Sequence, residues 1–317
     1  MTSPYGITIP LGGPLHAQKD RLLECRDLGY TDFWSSEADA ADGFVPLAMA
    51  AAWVPDVRLG VAIIPAYTRG PALLAQSVAT MAEAAPGRFA MGIGASSNVI
   101  VERWNGIPFE EPYKRTRDMV RFVKQALTGE KVEGPFDTIQ SSGFKLGRVP
   151  KQVPPILVAA LRPGMLRMAG RESDGTIINW LSAADVARIV PEVGAGKEIV
   201  ARIYVCPSED ADMVRGLARR LIASYLNVPV YAAFHEWLGR GPQLQPMWDL
   251  WKAGDRKAAT AAIPDAVVDD LIVYGSPGEC REHIARYMEN GVTTPTLAVL
   301  PYGMDAQQAV RDLAPQG

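Results

Sequence analysis

The chain has 317 residues, 48% hydrophobic and 21% charged, with 32 Lys+Arg against 35 Asp+Glu and a net charge of −3. This length sets a prior of about two domains, which relaxes to one for an α/β barrel of about 250 residues that carries insertions. The apolar content excludes disorder for the bulk of the chain, and the balanced charge speaks against a nucleic acid or a membrane surface as partner.

Strand and helix signals alternate from the start. Ile7–Ile9 is a short apolar run, followed by an amphipathic stretch from about His16 to Leu28 that Gly29 ends. Asp32–Ser35 reads as a strand, with a helix through Leu47–Trp53 after it. Val57–Ile64 is a third strand, stopped by Pro65, and Pro71 opens a helix that runs to about Ala85. Phe89–Ile93 is a fourth strand and Pro112–Leu127 a fourth helix. The strands start near positions 6, 31, 57 and 88, intervals of 25, 26 and 31, the spacing of βα units on a parallel sheet. Residues 130–154, rich in Gly and Pro, break this rhythm as a loop or hairpin insertion. Strands resume at Ile156–Val158, Thr176–Ile178 and Ile199–Val205. A second insertion, about 207–290, is mainly helical, and Thr296–Leu300 with a helix over Asp305–Leu313 closes the chain. Eight strand–helix pairs predict a (β/α)8 barrel with two insertions, one domain over 1–317. An open doubly wound sheet competes, but Pro10-Leu11-Gly12-Gly13 lacks the GxGxxG turn it needs after its first strand.

Only three His and three Cys are present, all scattered, so neither a His/Cys metal site nor a disulfide framework is expected. Three unpaired thiols suit a reducing cytoplasm. The segment from Met1 to Leu15 lacks the basic region of a signal peptide, and no uncharged apolar run reaches the roughly 20 residues that span a bilayer. No GxSxG elbow or Walker-type phosphate loop occurs.

A barrel places its chemistry at the C-terminal ends of the strands. Gly92-Ile93-Gly94-Ala95-Ser96-Ser97 is small there, which suits either a flat ring lying on backbone or a tight turn. Ala159-Ala160-Leu161-Arg162-Pro163-Gly164-Met165 leads into a helix whose free N–H groups, beside Arg162, make either an anion site or an ordinary helix start. His16 faces either the mouth or solvent. The aromatic stretch Phe234, Trp237, Trp248 and Trp251 is either a lid or the core of a helical subdomain.

The chain resembles the bacterial luciferase-like superfamily, in particular its branch dependent on the deazaflavin coenzyme F420. The resemblance runs nearly end to end. It is carried by Arg88-Phe89-Ala90-Met91-Gly92-Ile93-Gly94-Ala95-Ser96, by Val101 to Phe109 with Pro112, Arg115 and Arg117, and by Tyr67-Thr68-Arg69-Gly70-Pro71. Ile156 to Ala160 with Ala169-Gly170 and Asp174-Gly175, and Tyr274 to Glu279 followed by Asn290-Gly291-Val292, complete it.

The resemblance implies a barrel, commonly a homodimer through the early helices (Leu47–Trp53 and Leu73–Met81), with F420 or alternatively FMN across the strand ends. It implies that Glu37 touches the ring or its linker and that Val61, Ala62 and Ile64 form a bulge behind the ring, with a non-proline cis peptide near Val61–Ala62. Ala95, Ser96 and Ser97 match ring-edge and ribityl contacts; Ala159, Ala160, Pro163, Gly164 and Met165 match the phosphate cradle. Related deazaflavin dehydrogenases for alcohols and sugar phosphates carry a His after the second-strand acid and a Glu after the fourth-strand turn. Here these are Ala38 and Ser97, which leaves Glu37, Ser97, Tyr67 or solvent for proton transfer, with Glu37 and Ser97 as the catalytic candidates. Three functions follow for a small-molecule substrate: hydride transfer with F420, an FMN-dependent monooxygenase, or a flavin-binding barrel without chemistry.

Overall fold

The computed structural model describes residues 3–316; Met1 and Thr2, which open the N-terminal stretch read above, and Gly317 lie outside it. In chain order the elements are β1 (Gly6–Thr8), a 3-10 turn (Leu15–Ala17), α1 (Lys19–Asp27), β2 (Asp32–Ser35), α2 (Val45–Trp53), β3 (Arg58–Val61), β4 (Ile64–Pro65), α3 (Pro71–Ala84) and β5 (Phe89–Gly94). A π-helical segment (Val99–Trp104) precedes α4 (Pro112–Leu127), β6 (Ile156–Ala159), α5 (Pro163–Glu172), β7 (Gly175–Asn179), α6 (Val186–Val193) and β8 (Glu198–Cys206). Then follow α7 (Ala211–Leu226), α8 (Pro229–Leu238), α9 (Gly241–Lys252), α10 (Arg256–Ala261), α11 (Asp265–Leu271), β9 (Ile272–Tyr274), α12 (Pro277–Glu289), β10 (Thr294–Val299) and α13 (Ala306–Asp312).

The parallel sheet runs β10-β1-β2-β3-β5-β6-β7-β8, and β8 pairs with β10 to close it. This is the expected (β/α)8 barrel. Two short strands extend the rim: β4 on β5 and β9 on β8. One strand reading is corrected: the third strand is not continuous over Val57–Ile64 but breaks after Val61. The second insertion is mainly helical, as expected, and also carries the short strand β9. The first helix also starts later than His16, at Lys19; Gly29 takes the left-handed φ of +97° that a helix C-terminus requires.

Alternation divides each strand between two cores. Inside the barrel Trp34, Ala90, Leu157, Ile177 and Val200 interlock. Trp34 occupies the space that a side chain at Gly60 would fill, and a Cβ at Gly92 would overlap the Val61 carbonyl oxygen. At the N-terminal end of the strands Arg58 donates two hydrogen bonds to Glu198, 2.6 and 2.8 Å, and lies 3.4 Å from Asp32. Burial pushes the Asp32 carboxyl above its ordinary value, against the pull of Thr31 and Arg58. The opposite faces of the strands pack on the helices in a larger core.

The insertions bury their own apolar residues. In 130–154, Val132 donates its N–H to the Phe144 carbonyl at 2.7 Å, and Phe136 and Phe144 pack on Phe122 of α4, each pair of rings 5.7 Å apart. Helices α7 to α11 enclose a second core built on Val214, Ile222, Leu244 and Val268. Phe234 is fully buried, Trp237 packs on the main core, and Trp248 and Trp251 pack on the second, so this aromatic stretch serves packing.

His235 of α8 is fully buried, near the Arg240–Asp185 ion pair. Burial pushes its pKa down to about 4, Arg240 adds to the drop, and Asp185 opposes it. The neutral ring is therefore the folded form. Its contribution to stability is complete above the unfolded value of about 6.5 and is lost as pH falls toward 4, an effect on the order of 3 kcal/mol. His235→Leu should flatten the dependence of unfolding free energy on pH across that window, measured by urea titration. Gly92→Ala should cost about 3 kcal/mol, because the Val61 carbonyl it would strike is fixed in the sheet; the drop in urea midpoint measures it.

Candidate functional site

The βα loops converge at the end of the barrel where the strands terminate, and the direction of each side chain sorts the residues singled out in the sequence. Ala62, Ile63 and Ala159 pack on the interior cluster. A Cβ at Gly94 would lie 2.9 Å from that of Ala159 and 3.3 Å from the Ile63 side chain, so these four residues make a closely spaced apolar floor. Val61, Ile64 and Ala160 point the other way. They are buried in the outer core, behind the sheet, and their side chains do not reach the mouth. The non-proline cis peptide is at Ala62–Ile63, one residue beyond the position expected from the resemblance, and Ile63 joins the floor in place of Ile64.

Beside this floor is a cleft of about 500 Å3 lined by Glu37, Ala38, Asp39, Asp42, Thr68 and Arg69. Arg69 bridges it, donating to Glu37 Oε1 and to Asp42 Oδ2. The second oxygen of Glu37 accepts from the Gly43 N–H at 3.0 Å, and Asp42 Oδ1 accepts from the N–H groups of Phe44 and Val45, both at 2.8 Å, at the start of α2. Burial lowers the Arg69 pKa, but the hydrogen bond and charge of Glu37, with Asp42, raise it overall. Glu37 is thus a carboxylate with both oxygens engaged, holding the 36–44 loop to the third strand's loop. Thr68 Oγ1 is buried in the same wall without a partner.

After β5 the chain turns sharply. Ser96 adopts a φ of +66°, a left-handed conformation that is costly for a residue with a Cβ. Ser97 Oγ accepts the Ile100 N–H at 3.3 Å and so starts the π-helical segment, leaving its own hydroxyl proton uncommitted. Ala95, Ser96 and Ser97 are half-buried at the mouth.

The N-terminus of α5 has Arg162 in an extended conformation at the N-cap and Pro163 at the first helical position. The Leu166 N–H turns back to the Arg162 carbonyl at 3.0 Å. The N–H groups of Gly164 and Met165 precede the first intrahelical bond, no acidic residue stands in this turn, and Arg162 is exposed. This is a positively polarised donor set suited to an anion. His16, by contrast, is exposed on the 3-10 turn.

One polar group in the mouth escaped the sequence reading. Asn179, Arg202 and Thr296 stand level with one another on β7, β8 and β10. The signal was present: Arg202 interrupts the apolar run Ile199–Val205 in phase with Val200, which faces the interior.

Removing the carboxylate of Glu37 frees the Gly43 N–H and leaves Arg69 half-paired. Glu37→Ala should lower stability by about 2 kcal/mol, the range for hydrogen bonds to charged groups, and should speed amide exchange at Gly43. Hydrogen-exchange mass spectrometry of the 36–44 loop reads both effects.

Residues 4–294 match the family described as luciferase-like monooxygenase. The 5,10-methylenetetrahydromethanopterin reductase of Methanolobus tindarius is 27% identical over 297 residues, which cover 89% of this chain and 90% of the relative. An F420-dependent glucose-6-phosphate dehydrogenase from Rhodococcus hoagii is 27% identical over 274 residues, 82% of this chain and 78% of the relative. Among solved structures, the coenzyme F420 dependent tetrahydromethanopterin reductase of Methanopyrus kandleri superposes with a TM-score of 0.81 at 20% identity, covering 99% of this chain and 98% of its own. With a match that spans the first seven barrel strands and reaches the start of the eighth, and a fold shared over its whole length, the chain belongs to the luciferase-like monooxygenase family.

Proposed function

We propose that this protein is an oxidoreductase that uses coenzyme F420 to transfer hydride to or from a small organic substrate. The observation that carries this reading is the pairing of an apolar floor (Ala62, Ile63, Gly94, Ala159) with the free N–H groups of Gly164 and Met165 on the neighbouring βα loop. A coenzyme that joins a flat ring to a phosphate needs both, and the unpartnered Thr68 hydroxyl adds a polar contact at the wall. The names of the relatives support the deazaflavin over FMN.

When bound, the deazaflavin supplies a carbon-bound hydride. The protein's own residues do the rest. Arg162 and the first turn of α5 hold the phosphate by charge and N–H donation. The floor excludes water from one face of the ring, while Ala95, Ser96 and Ser97 border its edge. The Glu37–Arg69 pair fixes the wall of the cleft instead of acting as a free base. The Ser97 hydroxyl, whose proton is uncommitted, is the side chain available to hold a proton at the substrate. Ala38 stands where the related dehydrogenases carry His, which favours a reductase that draws its proton from Ser97 or solvent.

Fluorescence titration of the purified protein with F420 and, separately, with FMN tests the reading. F420 should bind, and Arg162→Glu, an exposed change that leaves the fold intact, should weaken it by about tenfold through repulsion of the phosphate. Binding of FMN but not F420 would support the monooxygenase reading, and binding of neither would leave a barrel without flavin chemistry.

A further inference from the structure

Among the described residues, Arg58 and Arg202 face the barrel interior, and of the two only Arg58 has a counter-ion there. Arg58 at the closed end holds Glu198 through both terminal guanidinium nitrogens. Arg202 is two alternation steps farther along β8 than Glu198, past Val200, on the same inward face. Among the described residues no carboxylate pairs with it, and its Nε is buried without a hydrogen-bond acceptor. Its guanidinium carbon lies 5.3 Å from the centre of the Tyr204 ring.

The surroundings of Arg202 are donors that are also unused. Thr296, its register partner on β10, is 1% exposed and its hydroxyl has no partner. The hydroxyls of Thr8 on β1 and Tyr204 are likewise buried and unpartnered. Burial pushes the Tyr204 phenol far above its ordinary range, so it stays a neutral donor. On the other side Asn179 exchanges hydrogen bonds with the Tyr231 hydroxyl at 3.2 and 3.3 Å, which fixes the amide beside Arg202. A partly buried guanidinium whose Nε is sealed from water without an acceptor is costly, as is each unpaired hydroxyl. One planar group with two oxygens sharing a negative charge would answer the guanidinium fork and the hydroxyls together.

Position in the barrel says which molecule brings that group. Going round the sheet, β8 is four strands from β3 in either direction, so Arg202 stands directly across the barrel from the Ala62–Ile63 end of β3. A molecule lying on the floor at Ala62 and one held at Arg202 would face each other across the mouth. We propose that Arg202, with Thr296, Tyr204 and Asn179, is the subsite for a carboxylate of the substrate, and that the substrate is a small organic acid. The assignment of this group to substrate, not cofactor, rests on the reading that the floor seats F420; the anion site itself does not.

The test uses acetate, crotonate and benzoate against their uncharged amides, on the protein with and without F420, by calorimetry. At least one acid should bind, its amide about tenfold more weakly or not at all, and Arg202→Met should remove that preference. Arg202→Lys should restore part of it, because a point charge without the fork remains. F420 affinity should stay within about twofold in Arg202→Met, and its melting temperature should hold or rise, because a partly buried charge without a counter-ion has gone. No preference for acid over amide, or a preference that survives in Arg202→Met, overturns the proposal. An equal loss of F420 affinity in the variant also overturns it by giving the group to the cofactor. Acid binding that depends on Arg202 in a protein that fails to bind F420 supports the anion site while removing the cofactor reading. Should Arg202→Met not fold, Thr296→Val carries the same comparison.

Discussion

Six register pairs join Thr294–Val299 of β10 to Val200–Val205 of β8 and close the parallel sheet into a cylinder. Closure removes both sheet edges and turns one face of every strand into a shared interior. It also brings all the strand C-termini to one rim, so that loops separated by more than 100 residues in sequence meet there. Without this contact the Ala62 floor, the α5 N-terminus and Arg202 would lie along a ribbon and form no site.

The cylinder is polar at both ends and apolar between. At one end the Arg58–Glu198 pair, with Asp32, satisfies its charges internally. At the other, charges and hydroxyls are left open around the mouth. The apolar layer of Trp34, Ala90, Leu157, Ile177 and Val200 separates them and excludes water from the middle. Its tight packing explains two glycines of the strands. Gly60 makes room for the Trp34 ring, and Gly92 for the Val61 carbonyl. Gly94, nearer the rim, belongs to the floor.

Glu37 shows how composition and position mislead in different ways. An acid just past the second strand invites a catalytic role. The structure gives it the work of a clamp, because Arg69 and the Gly43 N–H take both its oxygens. Arg202 is the converse. It interrupts an apolar strand with no motif around it, yet among the described residues it is the interior cation without a carboxylate.

Much of the fold was legible in the sequence, since it depends on local regularities: apolar runs at strand length, Pro at helix starts, Gly29 and its like at helix ends, and a repeat of 25 to 31 residues between strand starts. Helix α4 was read with the bounds it has, Pro112–Leu127, because an amphipathic period between a Pro and a Thr-Gly pair leaves little freedom. The family was legible for the same reason, through the small residues of the fourth βα turn. What the sequence could not decide was the direction of a side chain where strand geometry departs from strict alternation. The break after Val61 turns Ala62 and Ile63 inward together and sends Ile64 outward, and no periodicity announces it. Nor could the sequence decide which charges pair. Glu198 and Arg58 are 140 residues apart and meet, while Arg202 meets no acid among the described residues. Pairing across a barrel depends on closure and register, which are tertiary facts, and these distinguish a spent charge from one left available to a ligand.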